Sequence, residues 1–175
     1  MSSVDLVYGL GIGAAVLAVA RSIFITVTLK VNAQALTDQL IKLVRADNLD
    51  RALKLCQAAP KAYITSGFLP ALEVFKKGNA KRGDLVHAYD QGVATRKPLL
   101  TFGRIIGVVA GLLAVAGLVI GVMHAESVPS EAYAAPIIAG VLVAGGEMIT
   151  KRIQDEANAA FGHLLGALKE TRSQS

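Results

Sequence analysis

The chain is 175 residues long, 53% hydrophobic and only 18% charged, with a positive mean hydropathy. That balance excludes an ordinary soluble domain, where charged residues make up about a quarter of the sequence, and the length leaves room for a few membrane spans and one modest polar part but not for a separate catalytic domain. The single cysteine, Cys56, excludes an internal disulfide, and the net charge of +5 has to be placed somewhere along the chain.

From the N-terminus, Val4 to Ala20 is apolar except for Asp5, and the hydrophobic character resumes after Arg21 as SIFITVTLKV. A signal peptide carries its positive charge before the apolar run, whereas here the bases follow, so an uncleaved membrane helix is expected. Arg21, at the end of a seventeen-residue run, is expected as an interfacial anchor, because inside lipid it costs about 2.5–3.5 kcal/mol.

Between Lys30 and Lys97 the composition turns basic, with twelve Lys or Arg against six acids. By the positive-inside rule this segment is cytosolic, which also accounts for the charge. No recognition motif appears, and topology alone explains the bases, so no nucleic-acid partner is expected. Its periodicity is helical. Leu36, Leu40, Leu43 and Val44 share a face and are expected to continue the direction of the first span. Asp47 and Asn48 are placed to cap a helix carrying Leu49, Ala52, Leu53 and Cys56, which Pro60 ends. A further helix is read over Tyr63, Ile64, Phe68, Leu72 and Phe75, with Gly67 and Pro70 inside it, and Gly78 and Asn79 break the chain before Leu85, Val86 and Tyr89.

Ile105 to Met123 is nineteen residues without a charge, long enough at about 1.5 Å per residue to cross a hydrocarbon core of about 30 Å. Gly107 and Gly111, and Gly117 and Gly121, stand one turn apart, a spacing that lets helices approach closely in lipid. A loop with no Lys or Arg, His124 to Ala135, leads to a second apolar run from Ala132 to Ile149 that contains one acid, Glu147. Glu147 admits two readings. It is the only acid deep in the hairpin and so a candidate ion-pathway group, and it stands four residues before Lys151, the favourable spacing for an interfacial ion pair. Beyond Lys151, Ile153, Ala157, Ala160, Phe161, Leu164, Leu165 and Leu168 keep a helical stripe, so the last span is expected to run on as an amphipathic helix.

The expected fold is an all-α integral membrane protein with three transmembrane helices extending into a cytosolic helical bundle. Its parts are a first span over 1–30 with the N-terminus outside, a basic cytosolic segment over 31–98, a transmembrane hairpin over 99–151 and a cytosolic C-terminal helix over 152–175. No enzyme chemistry emerges: there is no phosphate-binding glycine loop, no cysteine pair, no metal-ligand cluster and no cofactor motif, and His87, His124 and His163 stand far apart.

This order of elements resembles the proton-channel family of MotA, TolQ and ExbB. The Arg after the first span (ARSIF) is similar to the family's basic residue there, and DNLDRALKLCQAAP resembles its Ala-Leu-x-x-Cys helix. GRIIGVVAGLLA lies on the family's A-P-L-L-G-L-L-G-T-V-x-G and keeps Gly107, and APIIAGVLVAGG lies on its A-P-G-I-A-E-A-L-x-A-T and keeps Pro136, Ile138, Ala139 and Ala144. The resemblance implies a bacterial inner-membrane homo-oligomer, a ring of five chains, around a single-span partner of the ExbD, TolR or MotB type with an ionisable Asp. In that family a threonine in each hairpin helix lines the pore. The matching positions here are Gly111 and Gly145, and the family's proline at the start of the second span is Arg104. The alternative is a scaffold or adaptor of the same architecture that moves no ions; a bilayer-permeabilising hairpin would leave the basic helical segment unexplained.

Overall fold

The computed structural model describes residues 2–78 and 80–174 and is all-helical, with no strand among the described residues. Its helices are α1 (Ser3–Leu29), α2 (Ala33–Arg45), α3 (Leu49–Gln57), α4 (Tyr63–Lys76), α5 (Arg82–Ala94), α6 (Lys97–Met123) and α7 (Ala134–Gln174), with a 3-10 turn over Ser130–Tyr133. Three of the helical stretches are long and apolar enough to cross a membrane, those built on α1, α6 and α7. The chain divides into two compact units, Met1–Val27 with Leu99–Lys151, and Thr28–Pro98 with Arg152–Ser175.

The first unit packs α1, α6 and the first part of α7 through small side chains. Ala14, Ala114 and Ala139 meet in one buried cluster, and Val7, Val128 and Ala132 in another. A Cβ at Gly11 would lie 2.7 Å from Ala135 and Pro136, so here the α1 backbone runs directly against the start of α7. The large side chains point the other way. Ile12, Val16, Ile23, Ile105, Val108, Leu112, Val122, Val141 and Met148 are all more than half exposed. A water-soluble protein of this size does not leave so continuous an apolar surface uncovered, and the distribution is compatible with a membrane protein.

The second unit has an ordinary core of large apolar residues. Phe68, Leu40, Leu72, Leu164 and Leu168 are fully buried, and the Tyr89 ring stacks on Phe161 with centroids 3.9 Å apart. The stripe from Ile153 to Leu168 is the buried side of α7 here, with Leu165 half-buried. The Tyr89 hydroxyl donates to Asn158 Oδ1 at 3.0 Å, and burial raises its pKa above the usual phenol range. Helices α4 and α5 approach so closely that glycine is required on both. A Cβ at Gly67 would sit 2.4 Å from the Tyr89 ring, and one at Gly92 only 2.0 Å from the Ser66 carbonyl oxygen. That carbonyl is the one left without its helical donor by Pro70, four residues on.

Several local expectations are corrected. The first helix does not run unbroken into α2: the chain leaves the helix at residues 30–32, and Asn32 Oδ1 accepts from the Ala35 amide at 3.1 Å to start a new helix. Helix α3 begins after Asn48, yet the Asn48 side chain makes no capping bond. Asp47 instead ends α2 with a φ of 52°, its amide donating to Val44 O and the Asn48 amide to Leu43 O, the Schellman pattern with Asp where glycine is usual. Gly78 takes a φ of 88° after α4, while Asn79, read with it as a break, lies outside the described residues. Helix α6 starts at Lys97, eight residues before the uncharged run, so Arg104, expected with Arg21 as an interfacial anchor, is an exposed residue within the helix rather than in its first turn.

Candidate functional site

The site grows from one side chain in the first unit. Arg21 comes two-thirds of the way along α1, and its side chain is 1% exposed. A guanidinium is flat, always charged and carries five N–H donors, so its burial demands both space and a counter-charge. Glycines supply the space. A Cβ at Gly107 of α6 would lie 2.5 Å from Arg21 Nη1 and 2.9 Å from Cζ, and one at Gly146 of α7 would lie 3.1 Å from Nη1 and 3.2 Å from Ser22 Oγ. The third glycine of the row, Gly103, faces Ile25 at 3.1 Å. Glu147 supplies the counter-charge, with Oε1 accepting from Arg21 Nη2 at 2.5 Å. Hydroxyls nearby are turned back on their own helices, Ser22 to Ala18 O and the buried Thr150 to Gly146 O, both at 2.9 Å.

The pair is asymmetric. Arg21 is enclosed, and its Nε and Nη1 have no hydrogen-bond partner among the described residues, whereas the Glu147 side chain is 48% exposed beside Met148, itself 74% exposed. A carboxylate thus sits on an otherwise apolar outer face, tied inward by a charge that cannot be discharged. Lys151, the expected i+4 partner of Glu147, makes no ion pair among the described residues, because the carboxylate turns to Arg21.

The other predicted residues fall into two groups. Gly107, Gly117, Gly121 and Pro136 are buried at helix contacts: Gly117 lies against Leu10 and Pro136, and Gly121 carries the Tyr133 ring. Gly111 and Gly145 are not. A Cβ at Gly111 would meet only Val143, at 4.0 Å, and one at Gly145 nothing within 4 Å. Crowding within the chain therefore does not forbid a side chain at either of the positions where the family would place threonine. Among the described residues no three His, Cys, Asp or Glu gather as metal ligands.

Read residue by residue, the sequence left Arg21 as an interfacial anchor and Glu147 as either an ion-pathway group or a partner of Lys151, and did not join the two. A signal was available. The first apolar run ends at Arg21 and the last holds Glu147, and in a non-polar surrounding two opposite charges are far cheaper together than apart. The arrangement joins α1 to α7 through one enclosed guanidinium and one half-exposed carboxylate. No family model, no curated protein and no solved structure matches the chain.

Proposed function

We propose that this chain is an oligomeric subunit of a proton-driven, energy-transducing complex of the MotA, TolQ and ExbB kind in the bacterial inner membrane, with the N-terminus outside and the C-terminus cytosolic. The observation that carries the reading is the Arg21–Glu147 pair. Replacing a buried ion pair by well-packed apolar residues is often neutral or stabilising, by about 1–4 kcal/mol, so packing alone gives little reason to hold two charges inside an apolar helix unit. In this reading the carboxylate of the pair, Glu147, is the proton-accepting group and Arg21 its fixed partner. Protonation of Glu147 would weaken its hold on Arg21 and leave the site positive, attracting the ionisable carboxylate of a single-span partner; deprotonation would restore the pair and release that partner. The half-exposed outer position of Glu147 suits such an exchange.

The second reading, a scaffold without ion transport, is favoured by the absence of hydroxyls at Gly111 and Gly145. One experiment separates the two. The chain is purified with its co-expressed neighbours, its stoichiometry read by native mass spectrometry, and proton flux followed in liposomes for the wild type and for the double variant R21M/E147Q, which removes both charges together. The motor reading expects several copies holding a single-span partner, with flux lost in the variant and assembly kept. Flux unchanged by the double substitution sinks the role given to Glu147, and a partnerless assembly without flux favours the scaffold.

A further inference from the structure

The second unit contains a cavity of about 270 Å³ between the end of α4, the start of α5 and the last part of α7. Phe75, Leu85, Leu165 and Leu168 give it apolar walls. Gly162 and Gly166, one turn apart on α7, line it as well, and a Cβ at either would meet nothing within 4 Å, so the space continues over bare helix backbone. Two cations, Arg82 and Lys169, line it together with Ala80; among the described residues no acid belongs to the lining and neither cation makes an ion pair. Arg82 is also the first residue of α5, and the acid of that first turn, Asp84, is turned back to accept from the Lys81 amide at 2.8 Å.

An apolar interior with cations at its edge calls for a molecule with an apolar body and one negative end. The volume falls just below the range of about 300–1,000 Å³ typical of small-molecule sites, which suits one short acyl tail and excludes a two-chain lipid. We propose that this cavity binds a single-chain carboxylate, a free fatty acid of medium length, with its tail along Gly162 and Gly166 and its head toward Arg82 and Lys169. The site is independent of Arg21 and Glu147, so either proposal can fail without the other.

The test uses the full chain in phosphatidylcholine nanodiscs and a dodecanoate carrying a photoactivated diazirine on its tail, with adducts mapped by mass spectrometry. Labelling of the apolar spans by probe dissolved in the lipid serves as the internal reference. Adducts are expected on Phe75, Leu85, Leu165 or Leu168, removed by excess dodecanoate and not by dodecyltrimethylammonium, which has the same tail and the opposite charge. Gly166→Leu should fill the cavity and abolish these adducts with span labelling unchanged. R82Q/K169Q should weaken them about tenfold, as loss of charge-assisted contacts would. Span labelling with no cavity adducts overturns the proposal and leaves the space to an apolar side chain of another protein. Cavity adducts indifferent to both variants, or displaced equally by the cationic amphiphile, overturn it too.

Discussion

At the scale of single residues, the two ends of the Arg21–Glu147 pair have unequal consequences. Glu147→Gln leaves a guanidinium buried against Gly107 and Gly146 with its charge uncompensated, the situation in which removing one member of a buried pair costs about 3–5 kcal/mol. Arg21→Met leaves a carboxylate that is already half exposed, and should cost less. The R21M/E147Q chain should be more stable than the Glu147→Gln chain, since the flexible Met can occupy the glycine-lined slot. Thermal unfolding of the three variants in one detergent checks the order; a double variant no more stable than Glu147→Gln would mean that the slot cannot be refilled.

At the scale of elements, the ends of helices carry the most testable local chemistry. Asp47 closes α2 in the left-handed region, where a Cβ crowds the following carbonyl, and its amide bonds to Val44 O do not depend on its side chain. Asp47→Gly should therefore raise stability by about 1 kcal/mol, visible as an upward shift in the melting temperature. An unchanged or lower melting temperature would show that the Asp side chain contributes something beyond the turn. The same elements show what could be read in advance. The all-helical class and the three long apolar helices were legible, because hydrophobic period and run length are local properties of the sequence. The break at residues 30–32 was less so: Asn32 is a good cap, but it is surrounded by residues that could equally continue a helix. The glycines were visible and their reasons were not, since Gly107 could as well have faced another helix backbone as an arginine 86 positions earlier. Glu147 likewise had a partner one turn away in sequence, and only the packing of α1 beside α7 made a more distant one available.

At the scale of the whole molecule, the proposed orientation can be read with one reagent. Burial pushes the Cys56 thiol up to about 12, so at neutral pH it is a protonated, enclosed group and a silent background for thiol labelling. Ser127→Cys, in the exposed segment between α6 and the 3-10 turn, should react in intact cells with a maleimide that does not cross membranes. Native Cys56 should remain unmodified until the protein is denatured. Reaction of Ser127→Cys only after the membrane is opened would invert the assigned orientation.

Where α1, α6 and α7 approach most closely the first unit keeps Ala and Gly inside, and most of its Val, Ile and Leu face outward, with Val7, Ile25 and Val128 as buried exceptions. In most proteins an interior is damaged by shrinking a side chain, because a void is left behind. At the alanine and glycine contacts almost nothing remains to be shrunk. The injurious changes at Ala14, Ala114 and Ala139 are enlargements, and a methyl group added there wedges helices apart, whereas the bulky outer positions can exchange one aliphatic shape for another. Sensitivity to mutation at these contacts therefore follows the growth of a side chain rather than its loss, the reverse of the rule that holds around Phe68 and Leu72 in the second unit.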